Sequence, residues 1–82
     1  MTFGEALEKA KKGYRITRKN WNGKGQYVGI ADNFSFLFEG QIVNANHQTC
    51  ENRALVFFGT SGTQVGWLAS QADMLSDDWE VF

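Results

Sequence analysis

Proline is absent from the 82 residues, and cysteine and histidine occur once each, at Cys50 and His47. Without proline, every strand keeps its full set of N–H donors. A lone cysteine excludes an internal disulfide and points to a reducing compartment. His47 and Cys50 supply at most two metal ligands, and no third or fourth is in view. Neither has the partners that a general base or a nucleophile requires. No metal and no cofactor are therefore expected. No apolar run reaches membrane-spanning length, and the chain turns polar and helical in pattern from residue 5 onward rather than leader-like. A cytoplasmic protein with no membrane partner is expected. A strong basic excess is also missing: the formal charge is −1, which argues against binding a nucleic-acid polymer.

What is present suits one small domain, residues 1–82, with a thin core for which oligomerisation is a common remedy. A hydrophobic content of 43% rules out disorder, and an aromatic content of 15% is enough to fill a core and still equip an interface or a ligand site. Charge is segregated along the chain. Seven of the eight Lys/Arg lie within residues 1–24, and four of the nine acids lie in the last ten residues. The acidic end can meet the basic segment within a subunit or between subunits. A basic cluster this local suits one or two phosphates better than a polymer backbone.

Thr2-Phe3-Gly4-Glu5 has the form of a capping box, and Phe3, Ala6, Leu7 and Ala10 make one helical face. Lys9, Lys11 and Lys12 favour the C-terminal end of the dipole, and Gly13 suits the position after the cap, so a helix is predicted over 3–12. Alternation predicts strands over 14–18, 26–31, 34–38 and 41–45, with Phe34, Phe36 and Phe38 on one face. Residues 46–52 read as a polar loop. A hairpin follows, from Ala54–Phe58 through the loop Gly59-Thr60-Ser61-Gly62 to Thr63–Leu68. Ser70-Gln71-Ala72-Asp73 repeats the cap form and opens a short helical turn, and Trp79–Phe82 reads as a last strand. The fold class expected is α+β: an N-terminal helix packed on a mostly antiparallel sheet, with a short second helical turn near the C-terminal end.

The stretch Arg15 to Gly25 carries the densest chemistry. Trp21 sits in a turn-forming segment among Arg18, Lys19, Asn22 and Lys24. It reads either as an ordinary core tryptophan or as a flat platform for a base, since stacking on an aromatic is worth about 1–3 kcal/mol per base. Gly23-Lys24-Gly25 can form a small anion nest, but lacks the length and setting of a phosphate-binding loop. Trp67 is either a sheet residue packed inward or a second flat wall, with Ser70 and Asp73 beside it to meet ribose hydroxyls or an adenine amine. Trp79 is assigned to the core or a subunit interface. Asp77 and Asp78 are adjacent near a strand and point apart, which suits a capped or solvated turn better than paired acid/base work. Nothing in the chain forms a credible catalytic set.

Together these motifs carry a resemblance. Phe3-Gly4-Glu5-Ala6-Leu7, Gly13, Arg15-Ile16-Thr17-Arg18 and Trp21-Asn22-Gly23 are similar to the start of a small phage and prophage family. Trp67 to Leu75 and Asp77-Asp78-Trp79-Glu80-Val81 are similar to its end. The chain resembles the second Thoeris anti-defence family; residues 30–60 match no motif. The resemblance implies a sponge rather than an enzyme. Such a protein binds, without cleaving, the glycocyclic ADP-ribose signal of a bacterial TIR-domain protein, in some members also cyclic dinucleotides, and acts as a homotetramer with interfacial ligand sites in the infected cell. The ligand contacts expected on chemical grounds are Arg18, Trp21, Asn22, Gly23, Lys24, Trp67, Ser70 and Asp73, with the pocket where the Trp21 stretch meets residues 67–73. Three alternatives stay open: a structural or protein-interaction module with no nucleotide ligand, a cyclic nucleotide phosphodiesterase, and a single-strand nucleic-acid binder.

Overall fold

The computed structural model describes residues 1–21, 25–31, 33–46 and 53–82, with 33–38 and 42–46 described through their backbone. The elements are α1 (Phe3–Lys11), β1 (Ile16–Arg18), β2 (Tyr27–Ala31), β3 (Asn33–Phe38), β4 (Gln41–Asn46), β5 (Ala54–Gly59), β6 (Gly62–Val65), α2 (Gln71–Leu75) and β7 (Trp79–Val81). This is the expected α+β class. Five strands form one antiparallel sheet in the order β6-β5-β2-β1-β7, and β3 and β4 form a separate two-stranded ladder. Of the loop expected over 46–52, Asn46 instead ends β4, and 47–52, with His47 and Cys50, lie outside the described residues, as do Asn22, Gly23, Lys24 and the side chains of Phe34, Phe36 and Phe38.

Both predicted caps are made. The Thr2 hydroxyl accepts from the Glu5 N–H while the Glu5 carboxylate accepts from the Thr2 N–H. At the other end of α1 the Gly13 N–H reaches Ala10 O, and the Tyr14 N–H reaches back to Lys9 O at 3.2 Å. This paired closure needs a left-handed residue between them, and Gly13 supplies it with φ 97°. It also explains why β1 begins at Ile16 rather than at Tyr14: the Tyr14 N–H belongs to the helix end.

Register sorts the side chains onto two faces, because directly paired residues share a side. Ile16 pairs with Val28, Val28 with Phe57, Ile30 with Leu55, and Arg18 with Trp79. That face carries α1, and its fully buried centre is Ala6, Ala10, Ile16, Val28 and Trp79. Phe3, Trp21, Ile30, Leu55, Phe57 and Trp67 pack around it. The small Ala6 and Ala10 let the helix backbone approach the sheet. On the opposite face Tyr27 stacks on Phe58 at 4.7 Å and meets Phe82 at 4.8 Å, with the Arg15 guanidinium 4.8 Å from the Tyr27 ring centre.

The hairpin departs from expectation in two places. Gly59 pairs with Gly62, so the connection is the two residues Thr60 and Ser61 rather than four. The second strand stops at Val65 instead of Leu68, because Gly66 takes φ 78°. The N–H groups of Gly66 and Trp67 then both donate to Leu55 O, at 2.9 and 3.0 Å. This closing bend leaves Trp67 outside the ladder and among the residues packed on the core.

Gly59 tests this packing. A Cβ there would lie 2.6 Å from Cε1 of Phe57, whose ring is held between Trp21 and Trp67. A Cβ on Gly29 would meet nothing within 4 Å. Gly59→Ala is expected to cost about 1–3 kcal/mol, and Gly29→Ala to change stability by less than about 0.5 kcal/mol, in urea unfolding.

Candidate functional site: a clamped arginine beside an open cleft

The Trp21 stretch does meet residues 67–79, and it does so through ion pairs and ring contacts. Arg18 leaves β1 next to Trp79 and donates from Nε to Asp78 Oδ1 at 2.8 Å and from Nη1 to Asp73 Oδ1 at 2.7 Å. Its side chain is 10% exposed. Asp73 Oδ1 also accepts from the Trp21 indole N–H at 3.2 Å, and Asp73 Oδ2 accepts from the Ser70 N–H. The Ser70 hydroxyl accepts from the Asp73 N–H in return, so the predicted second capping box is complete. The Asp73 carbonyl accepts from the Trp79 indole N–H at 2.8 Å. One residue at the start of a five-residue helix thus ties down an arginine and two tryptophans.

Asp78 does the same for the turn. Its carboxylate accepts from the Asn20 N–H and its carbonyl from the Lys19 N–H. The Trp21 N–H closes back onto Arg18 O at 3.2 Å. Asp77, beside it, is exposed. Asp78 is an ion-pair partner rather than a solvated turn residue. Segregated charge along the chain was the signal for this contact, and the pairing is within the subunit.

The electrostatics follow from the bonds. The two carboxylates that accept from Arg18, Asp78 first and Asp73 second, hold its guanidinium charged beyond the ordinary arginine range. Burial pulls the Asp73 carboxyl upward, but the hydrogen bonds from Arg18, Trp21 and Ser70 outweigh it and leave the group below the usual carboxylate range. The Arg18 bond, joined by the Asn20 N–H, likewise lowers Asp78 against its own desolvation.

Trp21 is edge-on to Phe57 at 5.4 Å, to Trp79 at 5.2 Å and to Trp67 at 6.1 Å. Of the eight expected contact residues, the structure brings five together: Arg18, Trp21, Trp67, Ser70 and Asp73. Asn22, Gly23 and Lys24 lie outside the described residues. The polar groups of Arg18, Trp21, Ser70 and Asp73 are engaged with one another, and the three tryptophans form one aromatic wall.

Open space adjoins the same stretch. A cleft of about 380 Å³ is lined by Thr17, Arg18, Lys19, Trp21, Gly25, Gln26, Glu80, Val81 and Phe82. A second cavity of about 360 Å³ lies nearby on the outer sheet face, along Gly13–Arg15, Tyr27, Gly29, Ile30 and Phe58. In the cleft, Lys19 and Glu80 stand 4.0 Å apart, with side chains 72% and 43% exposed. Sequence reasoning placed Lys19 beside the site without counting it and left out Gln26, Glu80 and Phe82. The pairing of Thr17 with Glu80 is what carries the chain's last residues to the cleft, and nothing local announces it.

Comparison with known proteins bears on the same stretches. The family model described as "Tad2-like: Thoeris anti-defense 2-like domain" matches residues 1–82. The chain belongs to this family. It is also 34% identical over 88 residues to "Thoeris anti-defense 2" of Bacillus phage SP01, covering 99% of this chain and 93% of that protein. Membership places it among phage anti-defence proteins, and the resemblance read from the two ends of the chain is borne out. Among the described residues no helix is long and apolar enough to cross a membrane.

The clamp makes a pH prediction. The Asp73 and Asp78 carboxyls are depressed in the folded state. Their stabilisation is therefore complete above the unfolded value of about 3.9 and is lost as pH falls toward the folded values. Melting temperature is expected to hold from pH 7 to about 5 and to drop steeply below about 4. Because the cluster is only partly buried, Asp73→Ala is expected to cost about 2–3 kcal/mol at pH 7 and to flatten that acid limb, whereas Asp77→Ala stays within about 0.5 kcal/mol.

Proposed function

We propose that this protein is a non-catalytic sponge that sequesters cyclic ADP-ribose-type immune signals, glycocyclic ADP-ribose foremost, in the cytoplasm of an infected bacterium. The observation that carries the reading is the cleft beside the Arg15–Gly25 stretch, in a chain of an anti-defence family. It combines an exposed ammonium, an exposed aromatic ring and backbone at a glycine turn, the groups that a ligand with a pyrophosphate and a purine requires.

At about 380 Å³ the cleft sits at the low end of small-molecule pockets. A cyclised nucleotide of this size needs a further wall, and a neighbouring subunit of a homotetramer provides it. Closure between subunits also slows release, which sequestration demands.

A structural module without a ligand is the second reading, and the packing of Trp21 favours it. Trp21→Ala removes ring contacts to Phe57, Trp67 and Trp79, so loss of fold would follow under either reading. A ligand panel separates them. Native mass spectrometry with cyclic ADP-ribose isomers and cyclic dinucleotides is expected to show four subunits with bound ligand, and heating the complex to release that ligand unchanged on chromatography. Retention of nothing from the panel selects the structural module. A cleaved product selects a phosphodiesterase.

A further inference from the structure

We infer that Lys19 and Phe82, rather than Arg18 and Trp21, make the decisive ligand contacts in the cleft: Lys19 holds the phosphate and Phe82 carries the ring. The inference rests on the sponge reading and assigns the chemistry of its site. Arg18 is the obvious phosphate ligand by sequence, yet both carboxylates of its clamp lie within 2.8 Å of its nitrogens. Its charge is already balanced by two carboxylates and its side chain is only 10% exposed, so an incoming anion gains less from it than from an exposed cation. Lys19, the next residue, lines the same cleft with its side chain 72% exposed. Its one ion-pair partner among the described residues is Glu80, at 4.0 Å across an exposed gap. Such surface pairs contribute little, so the ammonium is available.

The rings divide in the same way. Trp21 is edge-packed on three aromatics and its N–H is committed to Asp73. Tyr27 has Phe58 and Arg15 against it. Phe82 is 52% exposed, touches Tyr27 at a tilt, and is held in place by its N–H on Arg15 O at 2.8 Å. A fixed backbone under an open ring is what a stacking platform needs. Glu80, 4.0 Å from the ammonium, competes with the anion for Lys19.

The test is isothermal titration of the 82-residue chain with inorganic pyrophosphate and with glycocyclic ADP-ribose. Lys19→Ala is expected to weaken both ligands about tenfold, the worth of one charge-assisted contact. Glu80→Gln is expected to tighten both about two- to threefold by removing the competitor. Phe82→Ala is expected to weaken the nucleotide about fivefold or more and leave pyrophosphate unchanged. All three side chains are at least partly exposed, so melting temperatures should stay near wild type. A scaffold role for Glu80 would not tighten binding on its removal. In a ¹H–¹⁵N spectrum pyrophosphate should move the Lys19 amide signal and spare Arg18 Nε–H. The inference is overturned by unchanged pyrophosphate affinity in Lys19→Ala, by unchanged nucleotide affinity in Phe82→Ala, or by a shift confined to Arg18 Nε–H. If pyrophosphate binds through Lys19 while the nucleotide is not held, the sponge reading falls and the anion contact stands. If wild type binds neither, both fall.

Discussion

Arg18 bound between Asp73 and Asp78 is the contact on which the rest of this molecule depends. One guanidinium joins β1 to the start of α2 and to the turn before β7, segments 55 and 60 residues away in sequence. Only a planar fork with several donors can hold two carboxylates on different segments at once, and a lysine would offer a point charge without that geometry. Asp73 completes the arrangement. Its carboxylate caps α2, takes the Trp21 indole and neutralises Arg18, while its carbonyl takes the Trp79 indole. The cluster is satisfied throughout: among the described residues no buried side-chain nitrogen or oxygen is without a partner. That completeness is why a charge can lie beside the aromatic core without destabilising it.

The clamp also sets which groups around the turn are engaged and which are exposed. It engages Arg18 and the indole N–H of Trp21, two residues that line the cleft, and leaves Lys19, Glu80 and Phe82 as more exposed groups there. The same β1–β7 pairing that buries Trp79 brings Glu80 and Phe82 to the cleft, because alternate residues of a strand go to opposite faces. Core and site are therefore built from one register. The outer face continues from the cleft through Phe82, Tyr27 and Phe58, so a subunit docking there would bury aromatics and close the ligand space together, as the proposed tetramer requires.

Much of the fold was legible because local rules sufficed. Thr2 with Glu5 and Ser70 with Asp73 are capping boxes at a spacing of three, and both form. Gly13 ends α1 for the reason its position suggests. The errors fell where a backbone group had a non-local or competing partner. Tyr14 belonged to the helix end rather than to β1, and Trp67 left its strand because Leu55 O took two N–H groups at the Gly66 bend. Residues 33–46 pair as a ladder of their own, separate from the main sheet, which alternation alone could not distinguish.

The candidate site was legible only as a neighbourhood. Composition and order along the chain determined that cations and a tryptophan share one turn, that acids collect near the last strand, and that the motifs at both ends are those of an anti-defence family. Which carboxylates a given cation meets was decided by the β1–β7 register, which sets Arg18 beside Trp79 and Thr17 beside Glu80. Periodicity describes one segment at a time, and a charge-assisted contact across 60 residues depends on where two segments meet. The tertiary structure alone supplied that meeting, and with it the difference between Arg18, held by two carboxylates, and Lys19, exposed with Glu80 at 4.0 Å.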